Sequence, residues 1–256
     1  MRDALMTSKT VLLSLGLAAC SAVGPAFEPL PDVTPLRVAY RAEVIAGAWS
    51  PEQPSSADAA LGVADPVLTE QVMIECRVLA LADELVDAWS RDPRPVFALE
   101  IPSGAAAPLY DLRGVRQLAA QRVVVPSGGR GVVSVHDPQA FVESLRVAVD
   151  GNGLRADPFV AVAHEGVRVD VCATAVDEQV ELEVVGAFAA LRGLDEPRGV
   201  GFLHHEPVAI QQPATFAQHV EVAATLAVYR EVVVRLPGKA LGQSLLLIVE
   251  PRIISE

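Results

Sequence analysis

The feature that most constrains this chain is a succession of valine-rich segments in which apolar and polar residues alternate, separated by turns rich in glycine and proline. A period of two places apolar side chains on one face of a β-strand. Residues 179–188 show it clearly, since Val180, Leu182 and Val184 alternate with glutamine and glutamates. The chain is therefore predicted to be mainly β, with a few short helices.

The same patterns give the individual elements. Apolar residues at helical spacing predict two short helices, one over 81–89, ended by Pro93, and one over 111–121, capped by Asp111. The glycines of residues 126–130 predict a hairpin turn. The predicted strands cover 36–45, 71–81, 96–101, 122–125, 131–135, 141–149, 159–163, 167–174, 179–188, 219–235 (one bent strand or two) and 244–254.

Composition limits the classes of function. Of the 256 residues, 51% are hydrophobic but only 5% are aromatic, so the apolar content is chiefly Val, Leu and Ala and the chain is not of the disordered type. Acids outnumber bases 32 to 20, giving a net charge of −12, and no basic cluster occurs, so no nucleic-acid partner is expected. After residue 20, no apolar run approaches the roughly 18 to 20 residues that a membrane-spanning helix needs.

The first twenty residues have the order of an export signal. A positively charged start precedes an apolar run over 10–17, and small residues follow. The segment Leu17-Ala18-Ala19-Cys20 resembles the lipobox of bacterial lipoproteins. That resemblance implies that the signal is cut before the cysteine, whose sulfur and new amine are then acylated with fatty acids such as palmitate. Several acyl chains give stable membrane anchoring.

The residue after the cysteine implies a location. Since Ser21 is not an aspartate, the resemblance implies sorting to the outer membrane, with the protein lipid-anchored on the periplasmic face. Two other interpretations stay open, an ordinary secretory signal with a chance cysteine at the cut and a short buried helix. On the lipoprotein interpretation, 1–19 is the signal peptide, 20–35 a tether, 36–68 a short N-terminal strand with a linker, and 69–256 the β domain.

No residue pattern predicts an enzyme. The chain has no nucleophile elbow, phosphate loop or dinucleotide fingerprint. The adjacent His204 and His205 point to opposite faces of a strand, and no histidine has zinc-motif spacing, so we expect turn and surface histidines, no catalytic residue, no metal and no cofactor. Cys76 and Cys172 are expected to pack as small side chains, although a disulfide stays open. The histidines that could serve as a metal ligand or general base are His136, His164, His204, His205 and His219.

Five blocks follow one another in a recognisable order. Residues 71–79 are similar to an opening strand of Val-Leu-Ile-Glu-Ala type, and 111–135 to a helix-strand-turn-strand block. Residues 157–171 resemble a strand, an acidic glycine turn and a second strand, which 180–191 then follows. The ending, 245–254, is an apolar strand closed by Pro-Arg-Ile-Ile. Together these blocks resemble the C-terminal domain of the secretin family, the outer-membrane channel rings of type II and type III secretion and of type IV pili.

The resemblance covers about residues 69–256. It implies a secretin-like β domain that closes a shared barrel on oligomerisation, as a component of a protein secretion or pilus channel. The partners it implies are membrane lipid through acylated Cys20, and further copies of the chain or other secretion-system subunits.

Two features of the family are missing. The Val-Pro-x-Leu-Gly-Asp-Ile-Pro segment before the last strand is absent, and the stretch between Cys20 and Glu70 is too short for a string of N-terminal ring modules. The alternative expectation is therefore a monomeric, lipid-anchored periplasmic β domain that scaffolds or binds envelope partners without forming a pore.

Overall fold

The computed structural model describes residues 27–46, 49, 67–150, 153–192, 197–203, 206–239 and 242–254. Within these ranges the chain is built from strands, one α-helix and one three-residue 3₁₀ turn, Ala107–Leu109. The helix is α1 (Asp83–Ser90), and the strands are β1 (Thr34–Leu36), β2 (Val38–Ala46), β3 (Val67–Ala82), β4 (Phe97–Pro102), β5 (Arg116–Ser127), β6 (Gly129–Asp150), β7 (Gly153–Val176), β8 (Gln179–Arg192), β9 (Pro197–Leu203), β10 (Glu206–Gln211), β11 (Ala214–Ala227), β12 (Arg230–Pro237) and β13 (Gln243–Ile254).

The strands form two sheets and a separate hairpin. The six-stranded sheet has the order β1-β4-β12-β13-β3-β5, and the five-stranded sheet has the order β2-β11-β8-β7-β6. Strands β9 and β10 pair only with each other among the described residues, and the pairing is antiparallel throughout. The prediction of a mainly β fold is confirmed. No helix in the described part of the chain is long and apolar enough to cross a membrane.

An inner core lies between the two sheets. Val72 and Ile74 of β3 and Val169 and Val171 of β7 are inaccessible to solvent, and they belong to one continuous apolar cluster. These are the alternating valines and isoleucines of the sequence, and burying one such side chain contributes about 1.5–3 kcal/mol. The alternation therefore specifies a two-sheet sandwich.

A second, outer core covers the other face of the six-stranded sheet. Val86 and Trp89 of α1 and Leu109 pack there against sheet residues such as Phe97 and Leu246. The central strands β12 and β13 are consequently buried on both faces over most of their length. This explains why their sequences are continuous apolar runs rather than alternating ones.

The first predicted helix is confirmed and the second is wrong. The structure places the first at Asp83–Ser90, and the region 111–121 instead contains turns followed by β5 from Arg116 onward. Gly114 has a φ of +90°, which a helix does not contain. The apolar residues Leu112 and Val115 are half-buried against the outer core. The helical spacing of apolar residues in 111–115 therefore reflects the packing of an irregular segment. From Arg116 onward the conformation is set by pairing of β5 with β3.

The longest strands join segments that the sequence separates. Residues 141–149 lie within β6, and 159–163 and 167–174 are both parts of β7. The expected turn at 164–166 is strand, because β6 and β7 pair continuously across it. The stretch 219–235 forms two strands, β11 and β12, one of the two arrangements that the sequence allowed.

Arg235 of β12 links the six-stranded sheet to the start of α1. Its side chain is only 4% exposed. It donates hydrogen bonds to Asp83 (3.2 Å), Asp87 (2.5 Å) and the Ser244 hydroxyl (2.9 Å). A buried guanidinium is tolerated only when its donors are satisfied, so this network fixes the helix on the sheet.

Replacing this arginine tests the role of the network. We expect Arg235→Ala to lower the free energy of unfolding by about 2–3 kcal/mol, because the buried donors are lost while the half-exposed aspartates can return to water. Urea denaturation measures the loss. Arg41→Ala is the matched control, since the exposed Arg41–Glu43 pair should contribute less than about 1 kcal/mol. Equal losses in the two variants would contradict the assignment.

Candidate functional site

The site residues predicted from the sequence, Leu17, Ala18, Ala19, Cys20 and Ser21, lie outside the residues that the structure describes. Cleavage, lipidation and sorting therefore stay predictions. Among the described residues, the arrangement best suited to a function is the junction where the β6–β7 hairpin leaves the five-stranded sheet.

The hairpin is much longer than the sandwich that holds it. Strands β6 and β7 pair with each other as far as Asp150 and Gly153, whereas β7 pairs with β8 only between Gly166 and Val176. Residues 153–165 of β7, at about 3.3 Å per residue, extend roughly 40 Å beyond the last pair with β8. The hairpin therefore projects from the end of the domain.

The position at which β7 separates from β8 requires glycine. Gly166 has a φ of +150°, and a Cβ atom there would lie 2.2 Å from the carbonyl oxygen of Val135 and 2.7 Å from the Cα atom of His136. Both contacts are with backbone of the paired strand, which cannot move aside cheaply. The close approach of β6 and β7 at this position is thus possible only without a side chain.

The residue before this glycine fastens the hairpin to the body. A carboxylate oxygen of Glu165 accepts a hydrogen bond from the backbone N–H of Leu191 (3.2 Å) and another from the Lys239 ammonium (2.7 Å). Leu191 lies on β8 beyond the point at which β7 has separated from it. The Glu165 carboxylate therefore provides a hydrogen-bond acceptor for the backbone N–H of Leu191, close to the point where β7 and β8 separate.

A cleft of about 350 Å³ opens beside the junction. Its walls include apolar side chains of both sheets, Val135 and Phe188 of the five-stranded sheet and Leu245 of the six-stranded sheet. Glu165 and Lys239, which form an ion pair, also line it. That volume is within the range of pockets that hold small molecules or a side chain of another chain. The space lies beside the point at which β7 separates from β8.

One face of the projecting hairpin is packed within the chain. Phe141 of β6 and Ala163 of β7 form a small buried cluster with Leu191. The backbone N–H of Val142 donates to the side-chain oxygen of Gln211 at the end of β10 (3.3 Å). The β9–β10 hairpin therefore lies beside β6.

The other face of the hairpin carries apolar side chains in solvent. Val160 and Val162 are 54% and 48% exposed, and they stand opposite Val142 and Ala140 in the strand register. We call these four residues the apolar face of the hairpin. Exposed apolar residues that cluster rather than occur singly indicate a surface covered by another molecule.

The histidines form no metal centre in the described region. The rings of His136 and His164 lie 5.0 Å apart in an edge-on arrangement, and His219 is half-buried on β11. No group of three or more His, Cys, Asp or Glu side chains converges as metal ligands among the described residues. His204 and His205 lie outside them.

The two described cysteines are unpaired and buried, so both pack as small side chains as expected, although the strand pattern placed only Cys76 on an apolar face. Burial, with the nearby charge of Glu75, raises the pKa of the Cys76 thiol to about 12. A thiol with so high a pKa is not a nucleophile at neutral pH.

Three carboxylates lie in a row across the outer face of the six-stranded sheet, and sequence reasoning did not find them. Glu75 on β3 is the register partner of Glu250 on β13, and Glu231 lies on the next strand, β12. Glu231 is buried and accepts hydrogen bonds from the backbone N–H groups of Ala106 (3.0 Å) and Gly104 (3.3 Å). The sequence feature that could have revealed these carboxylates is the presence of a single glutamate within each of three apolar strand segments.

The surroundings of Glu231 and Glu75 shift the pKa values of these two carboxyl groups in opposite directions. Burial raises the pKa of Glu231, and the charge of Glu250 adds to the rise, although the two backbone N–H groups oppose it. Burial alone would also raise the pKa of Glu75, but its bonds and charge interactions with Arg122 and Arg77 outweigh burial and lower it. Glu231 and Glu250 hold the segment that follows β4, because they accept hydrogen bonds from residues 103–106, whereas Glu75 joins β3 to β5 through Arg122.

Comparisons with known proteins give a weak likeness. No family model and no curated protein matches the chain. Eleven chains of solved structures match, among them the type IV competence pilus secretin PilQ of V. cholerae, determined by single-particle cryoEM. The TM-score is 0.27 at 9% sequence identity, and the match covers 73% of this chain and 62% of that one. What the fold itself defines is a two-sheet β domain with a projecting hairpin.

A glycine substitution tests the junction. We expect Gly166→Ala to cost about 3 kcal/mol of stability, since the new Cβ meets backbone and the conformation is strained. Gly114→Ala is the control, because Gly114 also has a positive φ but a Cβ there meets nothing within 4 Å, which predicts a loss of only about 1 kcal/mol. Thermal unfolding of both variants measures the difference. Similar losses would show that the approach of the two strands is not the constraint.

The pH dependence of stability tests the carboxylate row. Because its folded-state pKa is raised, protonation of Glu231 favours the folded protein, so wild type should gain stability relative to Glu231→Gln as the pH falls from about 7 toward about 5. Glu75 has a lowered pKa, so wild type should instead lose stability relative to Glu75→Gln as the pH falls below about 4.5. Urea denaturation at a series of pH values measures both trends. Parallel curves for wild type and Glu231→Gln would show that the pKa of Glu231 is not raised in the folded protein.

Proposed function

We propose that this chain is an outer-membrane lipoprotein that assembles with further copies of itself into a secretin-like ring, as a component of a protein secretion or pilus channel. The observation that carries the proposal is the β6–β7 hairpin, which continues for roughly 40 Å of strand beyond the last pair between β7 and β8 and bears an exposed apolar face. The order of strand blocks from 71–79 to 245–254, similar to that of secretins, supports the same assignment.

Strand edges add to this support. Among the described residues, each sheet ends in two edge strands, β1 and β5 in one and β2 and β6 in the other. Edge strands with apolar neighbours favour pairing with another chain. A contact that joins two different edges repeats around a circle and closes a ring. Within lipid, strands satisfy their backbone groups by closing into a barrel, to which each subunit would contribute its hairpin.

The lipid anchor supplies the location. Acylation of Cys20 places the protein at a membrane, and Ser21 after it indicates the outer membrane with the β domain on the periplasmic side. Membrane lipid and other copies of the chain, or other secretion-system subunits, are then its partners. The proposal includes no catalytic role, no cofactor and no nucleic acid.

A second candidate function is a monomeric, lipid-anchored β domain that scaffolds envelope partners. The contact between Val142 and Gln211 favours it, because the β9–β10 hairpin lies beside β6 in a single chain. In that case the apolar face of the hairpin binds a different protein.

The mass of the detergent-extracted full-length protein separates the two candidates. We expect wild type to elute as a multimer of many subunits by light scattering, to resist SDS, and to appear as rings in negative stain. Val160→Glu with Val162→Glu should give monomers, because charges on the apolar face oppose its burial. A wild-type monomer would exclude the ring and favour the scaffold.

A matched double variant controls for general effects of charge. Val176 and Val228 are exposed to a similar degree, but Val176 ends β7 and Val228 lies in the turn between β11 and β12, both at the opposite end of β7 from the projecting part of the hairpin. Val176→Glu with Val228→Glu should leave the multimer intact. Dissociation of this control would show that the hairpin face is not specifically responsible.

A further inference from the structure

The inner core ends at the cleft beside the junction of hairpin and body. Leu118 of β5, Val135 of β6 and Leu245 of β13 are half-buried, pack against the inner core and line the cleft. They come from both sheets, so the floor of the cleft continues the apolar interior of the sandwich. Such a floor favours an apolar occupant, since each Å² of apolar surface removed from water contributes about 25 cal/mol.

Gln218 is a buried polar side chain in the wall of this cleft, and both ends of its amide are hydrogen-bonded within the protein. Its oxygen accepts a hydrogen bond from the Tyr40 hydroxyl (3.0 Å), and its nitrogen donates to the carbonyl oxygen of Pro237 (2.9 Å). An alkyl chain can therefore lie against this wall without depriving the amide of its partners.

The exposed residues that line the cleft, which we call its rim, carry charges of both signs. Arg116 and Asp137 are exposed, and the Lys239 ammonium pairs with the Glu165 carboxylate (2.7 Å). Guanidinium and ammonium groups bind phosphate oxygens, and a carboxylate accepts hydrogen bonds from a primary ammonium. An apolar floor below this rim matches a zwitterionic amphiphile that carries an alkyl chain, a phosphate and a primary amine.

The length of the hairpin sets the depth of the cleft on the proposed function. Residues 153–165 of β7 give roughly 40 Å of strand beyond the last pair with β8. Strands of membrane barrels tilt by about 35–45°, so this length spans roughly 30 Å along the bilayer normal, which is the thickness of the hydrocarbon core. Glu165 and Gly166 then lie at the membrane boundary, and the cleft that they line is level with the lipid headgroups.

On the proposed function, we infer that the cleft binds a phospholipid of the surrounding membrane, with one acyl chain on its floor and an ethanolamine headgroup at its rim. The phosphate lies toward Arg116 and Lys239, and the primary ammonium lies toward Asp137. A choline headgroup has no N–H to donate to this carboxylate, and a glycerol headgroup has no positive charge to offer it. The inference rests on the proposed barrel and adds a lipid ligand that is distinct from the acyl chains on Cys20.

Competition among phospholipids tests the inference. The detergent-extracted full-length multimer is incubated with an equimolar mixture of phosphatidylethanolamine, phosphatidylcholine and phosphatidylglycerol that share the same acyl chains. Gel filtration in lipid-free detergent removes loosely held lipid, and mass spectrometry quantifies what remains for each subunit. We expect about one retained phospholipid per subunit. Phosphatidylethanolamine should be enriched about two- to fivefold over phosphatidylcholine, the range for charge contacts at an exposed rim.

Two variants locate the binding, each with a matched control. Ala190 is half-buried and lines the cleft, so Ala190→Trp should fill it and abolish both retention and enrichment, whereas Ala223→Trp on the exposed face of β11 should change neither. Arg116→Gln should lower the enrichment about twofold, whereas Arg113→Gln, at an exposed position outside the cleft, should leave it unchanged. Because Arg116 is exposed, its variant keeps the test valid even where Ala190→Trp fails to fold.

Two results would overturn the inference. One is equal retention of the three lipids by wild type, and the other is an enrichment that survives both Ala190→Trp and Arg116→Gln. Light scattering on the same samples separates these results from failure of the proposed function. A multimer without lipid selectivity contradicts the cleft assignment alone, whereas a wild-type monomer contradicts the ring, and its retained lipids still test the cleft.

Discussion

Burial of the six-stranded sheet on both faces is the constraint on which the rest of the structure depends. One face meets the five-stranded sheet, and the other meets α1, residues 103–115 and the segment that begins at Phe27. A sheet covered in this way exposes almost no backbone in its central strands, so their sequences are free to be apolar throughout. The covering layers must then be attached to it at fixed positions.

Those attachments are made by the few charged residues that the buried face retains. Arg235 holds the start of α1, and Glu231 holds the backbone of residues 104–106. A buried charge costs several kcal/mol unless it is fully hydrogen-bonded, so each such residue specifies one arrangement of the layer above it. The partly exposed Glu165 makes a comparable attachment, since its carboxylate joins the projecting hairpin to β8 by its hydrogen bond with the backbone N–H of Leu191.

The sequence was sufficient for features that depend on neighbouring residues and insufficient for those that depend on distant ones. Alternation located most strands, since period two follows from the geometry of a strand. It did not show that residues 111–121 lack a helix, because pairing of β5 with β3 decides that region. Alternation also could not place Glu165 beside Lys239, which is 74 residues away. Nor could it distinguish a turn from a strand at Gly166, because the need for glycine there comes from a close contact with the backbone of β6.

A lipid anchor and a hairpin held at a fixed position would both lower the entropic cost of the proposed assembly. Association of free molecules costs several kcal/mol in lost translation and rotation, commonly estimated at about 4–15 kcal/mol. If Cys20 is acylated as proposed, the lipid anchor confines each domain to the membrane surface. The bond between Glu165 and Leu191 then holds the hairpin at a set angle to that domain. In the proposed ring, copies confined to the same membrane surface lose less freedom on binding, so a modest apolar face such as Val160 and Val162 is sufficient to join them.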